Sequence, residues 1–189
     1  MVNILSFREK QLSRELTKDI RLAKCHDEEA FRRLIDKEKS KLYRIGKGIL
    51  KSDFDVDDAI QETILKSWMN IDSLRDEKSF STWITRILIN ECYKIIRKRE
   101  NTKQIEDYNL IEKDNSHDVN NKIDVWNSLD KLSEEFKLPL ILYFFEDFSY
   151  EEISIILKIP KGTVRSRIFR GKEKLESILS NYGRGERYE

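Results

Sequence analysis

Residues 149–179 read SYEEISIILKIPKGTVRSRIFRGKEKLESIL. Ser149 can cap a helix while Glu152, three residues on, reaches back to complete a capping box. Ile153, Ile156 and Leu157 form the apolar face of that helix. It must stop before Pro160, whose ring biases Ile159 away from helical geometry. Gly162 then permits a tight turn, and Thr163 caps a second helix in which Val164, Ile168, Gly171, Leu175 and Leu179 share one face. Gly171, without a side chain, lets the first helix of the pair approach closely. The pattern predicts helix, turn, helix.

The outer face of the second helix carries Ser166 and Arg170, flanked by Thr163, Arg165 and Arg167, with Lys161 and Lys172 at its margins. Between Lys158 and Lys174 seven residues are basic and one is acidic, a local charge of +6 in a chain whose net charge is +1. A short helix, a tight turn and a helix with a basic outer face suit entry into the DNA major groove. There arginines pair bidentately with guanine, while Lys and Thr mostly hold phosphates.

Upstream, residues 101–120 (NTKQIEDYNLIEKDNSHDVN) hold five acids and two lysines with few large apolar residues, and read as a linker. Before it, residues 20–100 carry apolar residues at helical spacing with almost no breakers. Asp53 to Leu65 contains five acids and no base. Projected on a helix, Val56, Ala59, Ile60, Ile64 and Ser67 point one way, while Asp58, Gln61, Glu62, Leu65 and Met69 point the other. A polar face with apolar residues in a row fits a partner helix. A further helix is predicted from Ser81 to Arg99, capped by Ser79 or Ser81, with Ile84, Leu88 and Ile95 inside and Cys92 beside them. Its other stripe holds Trp83, Arg86, Asn90, Lys94 and Arg97, with Tyr93 adjoining. Bases interleaved with aromatics suit single-stranded nucleic acid.

Composition agrees with a helical chain. The 189 residues include six Gly and two Pro, too few for the repeated turns of a sandwich or barrel, and 38% are charged. The expected fold is all-α: two small helical domains joined by a flexible linker, the second with a helix-turn-helix. The domains are predicted at 20–100 and 121–182, with an N-terminal extension over 1–19, either a leading helix or an arm, and a tail over 183–189. No apolar run approaches the roughly 20 residues that span a bilayer. Arg8, Glu9, Lys10, Arg14, Glu15 and Lys18 deny the start of the chain a signal core, so a cytoplasmic location is expected.

The motifs AFRRLI, DDAIQETILKSW and FSTWITRILINECYKIIRKR, followed by LPLILYFFEDFSYEEISIILKIPKGTVRSRIFRGKEKL, resemble bacterial sigma factors of the extracytoplasmic-function type. The first group is similar to sigma region two and the second to region four, in the family's order and spacing. The resemblance implies that Asp58, Gln61, Glu62 and Leu65 dock on a coiled coil of core RNA polymerase. Trp83, Arg86, Asn90, Tyr93 and Lys94 would meet the minus-ten element of promoter DNA. The loop Asp72 to Ser79 would help capture a flipped non-template base. Lys161, Thr163, Arg165, Ser166, Arg167 and Arg170 would read the minus-35 element, and the linker would run toward the RNA exit path.

It also implies an anti-sigma factor that covers the polymerase-binding surfaces. No catalytic chemistry, cofactor, metal or membrane insertion is expected. Arg86 and Ile87 stand where primary sigma factors carry aromatics, which implies weaker melting and stricter promoter demands. Glu146-Asp147-Phe148-Ser149 lacks the family's turn glycine, so an altered turn is expected, and Pro139 predicts a kink or a late helix start. Two other readings account for less. A stand-alone helix-turn-helix regulator explains 149–179 but gives the Asp58 to Met69 face and the Trp83 stripe no task. A metal enzyme built on Cys25, His26, Cys92 and His117 lacks ligand spacing, and both cysteines read more simply as small core residues.

Overall fold

The computed structural model describes the backbone of residues 14–103 and 121–185, and the side chains of residues 14–100 and 125–180. Every regular element among them is helical, and the chain divides into two compact units, Met1–Ile95 and Ile96–Glu189. Most of the linker stretch, His117 and the last four residues of the tail lie outside the described residues. No described helix is long and apolar enough to cross a membrane.

The first unit contains α1 (residues 14–24), α2 (Glu28–Ile49), α3 (Asp53–Met69), two 3-10 turns (Ile71–Ser73 and Glu77–Ser79) and, as far as Ile95, α4 (Phe80–Lys103). α1 crosses residue 19 without a break and buries Ile20 and Ala23 fully. Beside them Asp19 accepts hydrogen bonds from Arg33 (2.8 Å) and Lys37 (3.3 Å) of α2. Burial pushes the Asp19 carboxyl up, but the two cations together outweigh it and hold the group below its ordinary range. α2 is capped by Asp27, whose carboxylate accepts from the Ala30 N–H at 2.8 Å. α2 and α3 meet at Gly46, where a Cβ would stand 3.0 Å from a methyl of Val56.

α4 starts at Phe80, running straight on from the preceding 3-10 turn, so Ser81 lies inside the helix and cannot cap it. Asp76 caps that 3-10 turn: one carboxylate oxygen accepts from the Lys78 N–H (3.1 Å) and the other from the Ser79 hydroxyl (2.8 Å). Ser81 instead links α4 to α2, donating to Glu38 (2.9 Å) and accepting from Lys41 (3.0 Å). Ile84, Leu88 and Cys92 are fully buried, whereas Ile95, at the limit of the unit, is only half-buried. Cys25 is exposed, contrary to the core role expected of it.

The second unit contains α5 (Asn121–Asp130), α6 (Glu134–Leu140), a π-helical turn (Ile141–Phe145), α7 (Tyr150–Leu157) and α8 (Lys161–Gly185). α6 begins well before Pro139, so the late start does not occur. Proline has no N–H for the carbonyl four residues back, and the helix widens into the π turn that follows. The capping box at Ser149 forms as predicted, with the Ser149 N–H on Glu152 at 2.8 Å and the Glu152 N–H on Ser149 Oγ at 3.3 Å.

Three details of the helix pair differ from expectation. The left-handed residue of its turn is Lys158 (φ 54°), whose N–H bonds the Ser154 carbonyl, and Gly162 lies inside α8 with nothing near it. Thr163 is the third residue of α8, too far in to cap it. The Pro160 carbonyl accepts from the N–H groups of Thr163 (2.8 Å) and Val164 (3.0 Å) instead. Gly171 does permit a close approach, but of α6: a Cβ there would stand 3.0 Å from Leu140 and 3.2 Å from Phe136. In the turn without a glycine, Asp147 takes the left-handed conformation itself (φ 56°), which Asp tolerates better than most residues.

Candidate nucleic-acid and protein interfaces

The outward face of α3 follows from its pattern. Val56, Ala59, Thr63 and Ser67 are buried, and Asp58, Gln61, Glu62, Leu65 and Met69 are exposed. Phe54, one turn before Asp58, extends the same row and is 84% exposed, with Leu65 at 52% and Met69 at 70%. Three large apolar groups thus stand in water among acids. At the foot of the row Asp53 accepts from the Tyr43 hydroxyl (3.0 Å) and pairs with Lys47 (2.7 Å). The Lys47 bond, then that of Tyr43, holds the Asp53 carboxyl below its ordinary range, so the row keeps its negative end.

The α4 stripe is partly built into the unit. Trp83 is half-buried with its ring 6.0 Å from that of Phe80. Arg86 and Tyr93 are also half-buried, while Asn90 and Lys94 are exposed. Lys94 pairs with Glu91 at 2.9 Å, and Glu91, only 6% exposed, is also bonded by Lys66 of α3. Burial pushes the Glu91 carboxyl up, yet Lys66 and then Lys94 overcome this and leave it below its ordinary value. One buried carboxylate therefore ties the outward helix α3 to the aromatic and basic stripe of α4.

Between these helices the loop from Asn70 to Ser79 is anchored by Ile71 and Leu74, both buried, and shows Asp72, Ser73, Arg75 and Asp76 to solvent. In the second unit Lys161, Arg165, Ser166 and Arg170 are exposed on α8, and Thr163 and Arg167 are half-buried. Lys161 pairs with Glu151 of α7, and Arg167 lies 3.7 Å from Glu135 of α6. Ser166 donates to the Thr163 carbonyl at 3.0 Å. Arg165 and Arg170 make no ion pair among the described residues.

The faces projected from the sequence form on α3 and α8, while Phe54, Glu91 and Phe169, which is 63% exposed on α8, are absent from that reading. Phe54 was legible as the residue four before Asp58. Glu91 was legible only as an acid set among the bases of α4. His26 packs edge-on against Trp68 at 5.6 Å, and among the described residues no three His, Cys, Asp or Glu side chains gather to hold a metal.

Family models for sigma-70 region 2 and sigma-70 region 4 match residues 34–102 and 122–175. The ECF RNA polymerase sigma factor SigW of Bacillus subtilis is 30% identical over 180 residues, covering 87% of this chain and 96% of that protein. The ECF RNA polymerase sigma-E factor of Haemophilus influenzae is 30% identical over 173 residues, covering 81% and 89%. Among solved structures, the sigma factor RpoE in complex with the anti-sigma factor NepR from Bartonella quintana superposes with a TM-score of 0.72 at 27% identity, covering 79% of this chain and 96% of that one. CnrH in complex with the cytosolic domain of CnrY has a TM-score of 0.69 at 21% identity, covering 88% and 98%, and shares the fold.

Proposed function

The chain belongs to the extracytoplasmic-function RNA polymerase sigma factors, and from that premise we propose how its surfaces divide the work of starting transcription. It is an alternative sigma factor that binds core RNA polymerase and directs initiation at selected promoters. The observation that carries this is the pairing, in one chain, of an acidic and apolar face on α3 with basic faces on α4 and α8. A stand-alone DNA-binding regulator has no use for the first.

Asp58, Gln61, Glu62 and Leu65 dock on polymerase. The acids steer the encounter and Leu65, with Met69, supplies area that is lost to water on docking. The acids also keep this face off DNA. Trp83, Arg86, Asn90, Tyr93 and Lys94 then hold the opened minus-ten strand. Bases stack on the rings for about 1–3 kcal/mol each while the cations follow the backbone. Arg165, Ser166, Arg167 and Arg170 face base edges of the minus-35 element, and Lys161 and Thr163 hold its phosphates. The work is binding in sequence, without catalysis, cofactor or metal, and it takes place in the cytoplasm, where polymerase is.

An anti-sigma factor holds the protein inactive by covering the polymerase-binding face, a reading supported by the likeness to a sigma factor solved with one. The domain roles follow: residues 20–100 bind polymerase and the minus-ten element, and residues 121–182 bind the minus-35 element. Transcription in vitro with core polymerase and a promoter library tests this. The expected result is transcripts from a distinct promoter subset that require both core and this chain. A shift of duplex DNA without polymerase, combined with no core binding, would favour the stand-alone regulator and overturn the reading.

A further inference from the structure

The loop between α3 and α4 is held from outside itself, by α1. Arg21 donates from Nε to Glu77 at 2.8 Å and from Nη2 to its second oxygen at 3.4 Å, a two-pronged grip on the second 3-10 turn. Lys24, one turn further along α1, donates to the Leu74 carbonyl at 2.5 Å. Asp76 is closed onto Lys78 and Ser79 from within. Leu74 and Asp76 are thus both fixed, and Arg75 between them is exposed and makes no ion pair among the described residues.

We propose that Arg21 and Lys24 are positioning residues for promoter reading: they set the shape of the loop that presents Arg75 to the opened strand. This rests on the sigma-factor reading proposed above, together with the capture of a non-template base by this loop that the family resemblance implies. An unpaired base offers a guanidinium both a face to stack on and edges to bond, but only if the group arrives at a defined place. The Arg21–Glu77 pair adds little to folding, because its arginine is 70% exposed and such pairs are weak in water. Its effect therefore falls on selectivity rather than on stability.

The test uses the complete chain with core polymerase and promoters changed one base at a time across the minus-ten element. Arg21→Ala and Glu77→Ala should each reduce the preference at one position by about two- to fivefold. Arg75→Ala should erase the preference at that same position. The exchange Arg21→Glu with Glu77→Arg should restore it, and Lys24→Met should weaken it. Core affinity, melting temperature and the response to minus-35 changes should stay as in the unaltered chain. Unchanged selectivity, an equal loss on every promoter, or no rescue by the exchange would each overturn the proposal. If the unaltered chain gives no core-dependent transcript, the sigma-factor reading fails and this proposal with it. If the unaltered chain is selective and Arg21→Ala matches it, the positioning role alone fails.

Discussion

α4 and α8 both present basic stripes proposed to face DNA, and they are made differently. On α4 the stripe is partly built in: Lys94 is held by the buried Glu91, and Trp83 is half-sunk beside Phe80. On α8 the Arg165 and Arg170 side chains stand in solvent without an ion pair among the described residues. A duplex offers fixed base edges that long side chains can search, so loose arginines cost little there. An opened strand has no fixed shape, and the surface receiving it must supply one. The lesson is that similar local charges, +4 over residues 86–103 and +6 over 158–174, serve unlike kinds of recognition.

The comparison breaks most visibly upstream of both stripes. Leu65→Arg, at the centre of the α3 row, should weaken core binding more than about 100-fold, as truncating or reversing an interface anchor does. Transcripts from all promoters should fall together. A loss confined to some promoters, in titrations of core with the variant, would place DNA contacts on α3. Next comes the scaffold of α8. Gly171→Val should destabilise the second unit by about 1–3 kcal/mol, since Leu140 and Phe136 leave no room for a side chain. Thermal melting should show a lowered transition in that unit alone.

Arg170→Ala should cost about 5- to 150-fold in discrimination for a preferred minus-35 sequence. Lys161→Ala should weaken binding to all sequences alike and lower the slope of affinity against salt by about one. Equal effects of both on every promoter would mean α8 does not read bases. Glu91→Gln probes α4. It should destabilise the first unit by about 1–2 kcal/mol near neutral pH. The Glu91 carboxyl lies below its ordinary value of 4.5, so its contribution is present above that pH and is lost as pH falls through the lowered value. The gap between variant and parent in chemical unfolding should therefore close on acidification. A gap that persists well below pH 4.5 would show that Glu91 acts through packing. The smallest effect is Asp147→Gly, which should stabilise the second unit by less than about 1 kcal/mol by relieving the left-handed residue.

Helices and their inner faces were legible because burial imposes a period on the sequence: Val56 with Ala59, Ile84 with Leu88, and Val164 with Ile168 all turned out buried. The exposed row on α3 was legible for the same reason. What escaped was decided between segments distant in sequence. Nothing around Gly171 says that α6 rather than α7 packs there, and nothing near Glu77 announces Arg21, 56 residues away. The start of α4 escaped because a 3-10 turn capped by Asp76 leads straight into Phe80, and turns failed where Lys158 took a conformation usually left to glycine.

α7 has a left-handed residue just beyond each of its ends, Asp147 before and Lys158 after. A helix of eight residues gains little from its own hydrogen bonds, so these two corners, the capping box and the packing of the buried Ile153 and Ile156 fix where it points. Arg165 and Arg170, on the outer face of α8, make no ion pair with α7 among the described residues. Sequence change at those two arginines can therefore alter which DNA is preferred without disturbing the frame that delivers it. Promoter preference and fold become separately heritable, and a duplicated copy of such a protein is free to acquire new targets one surface residue at a time.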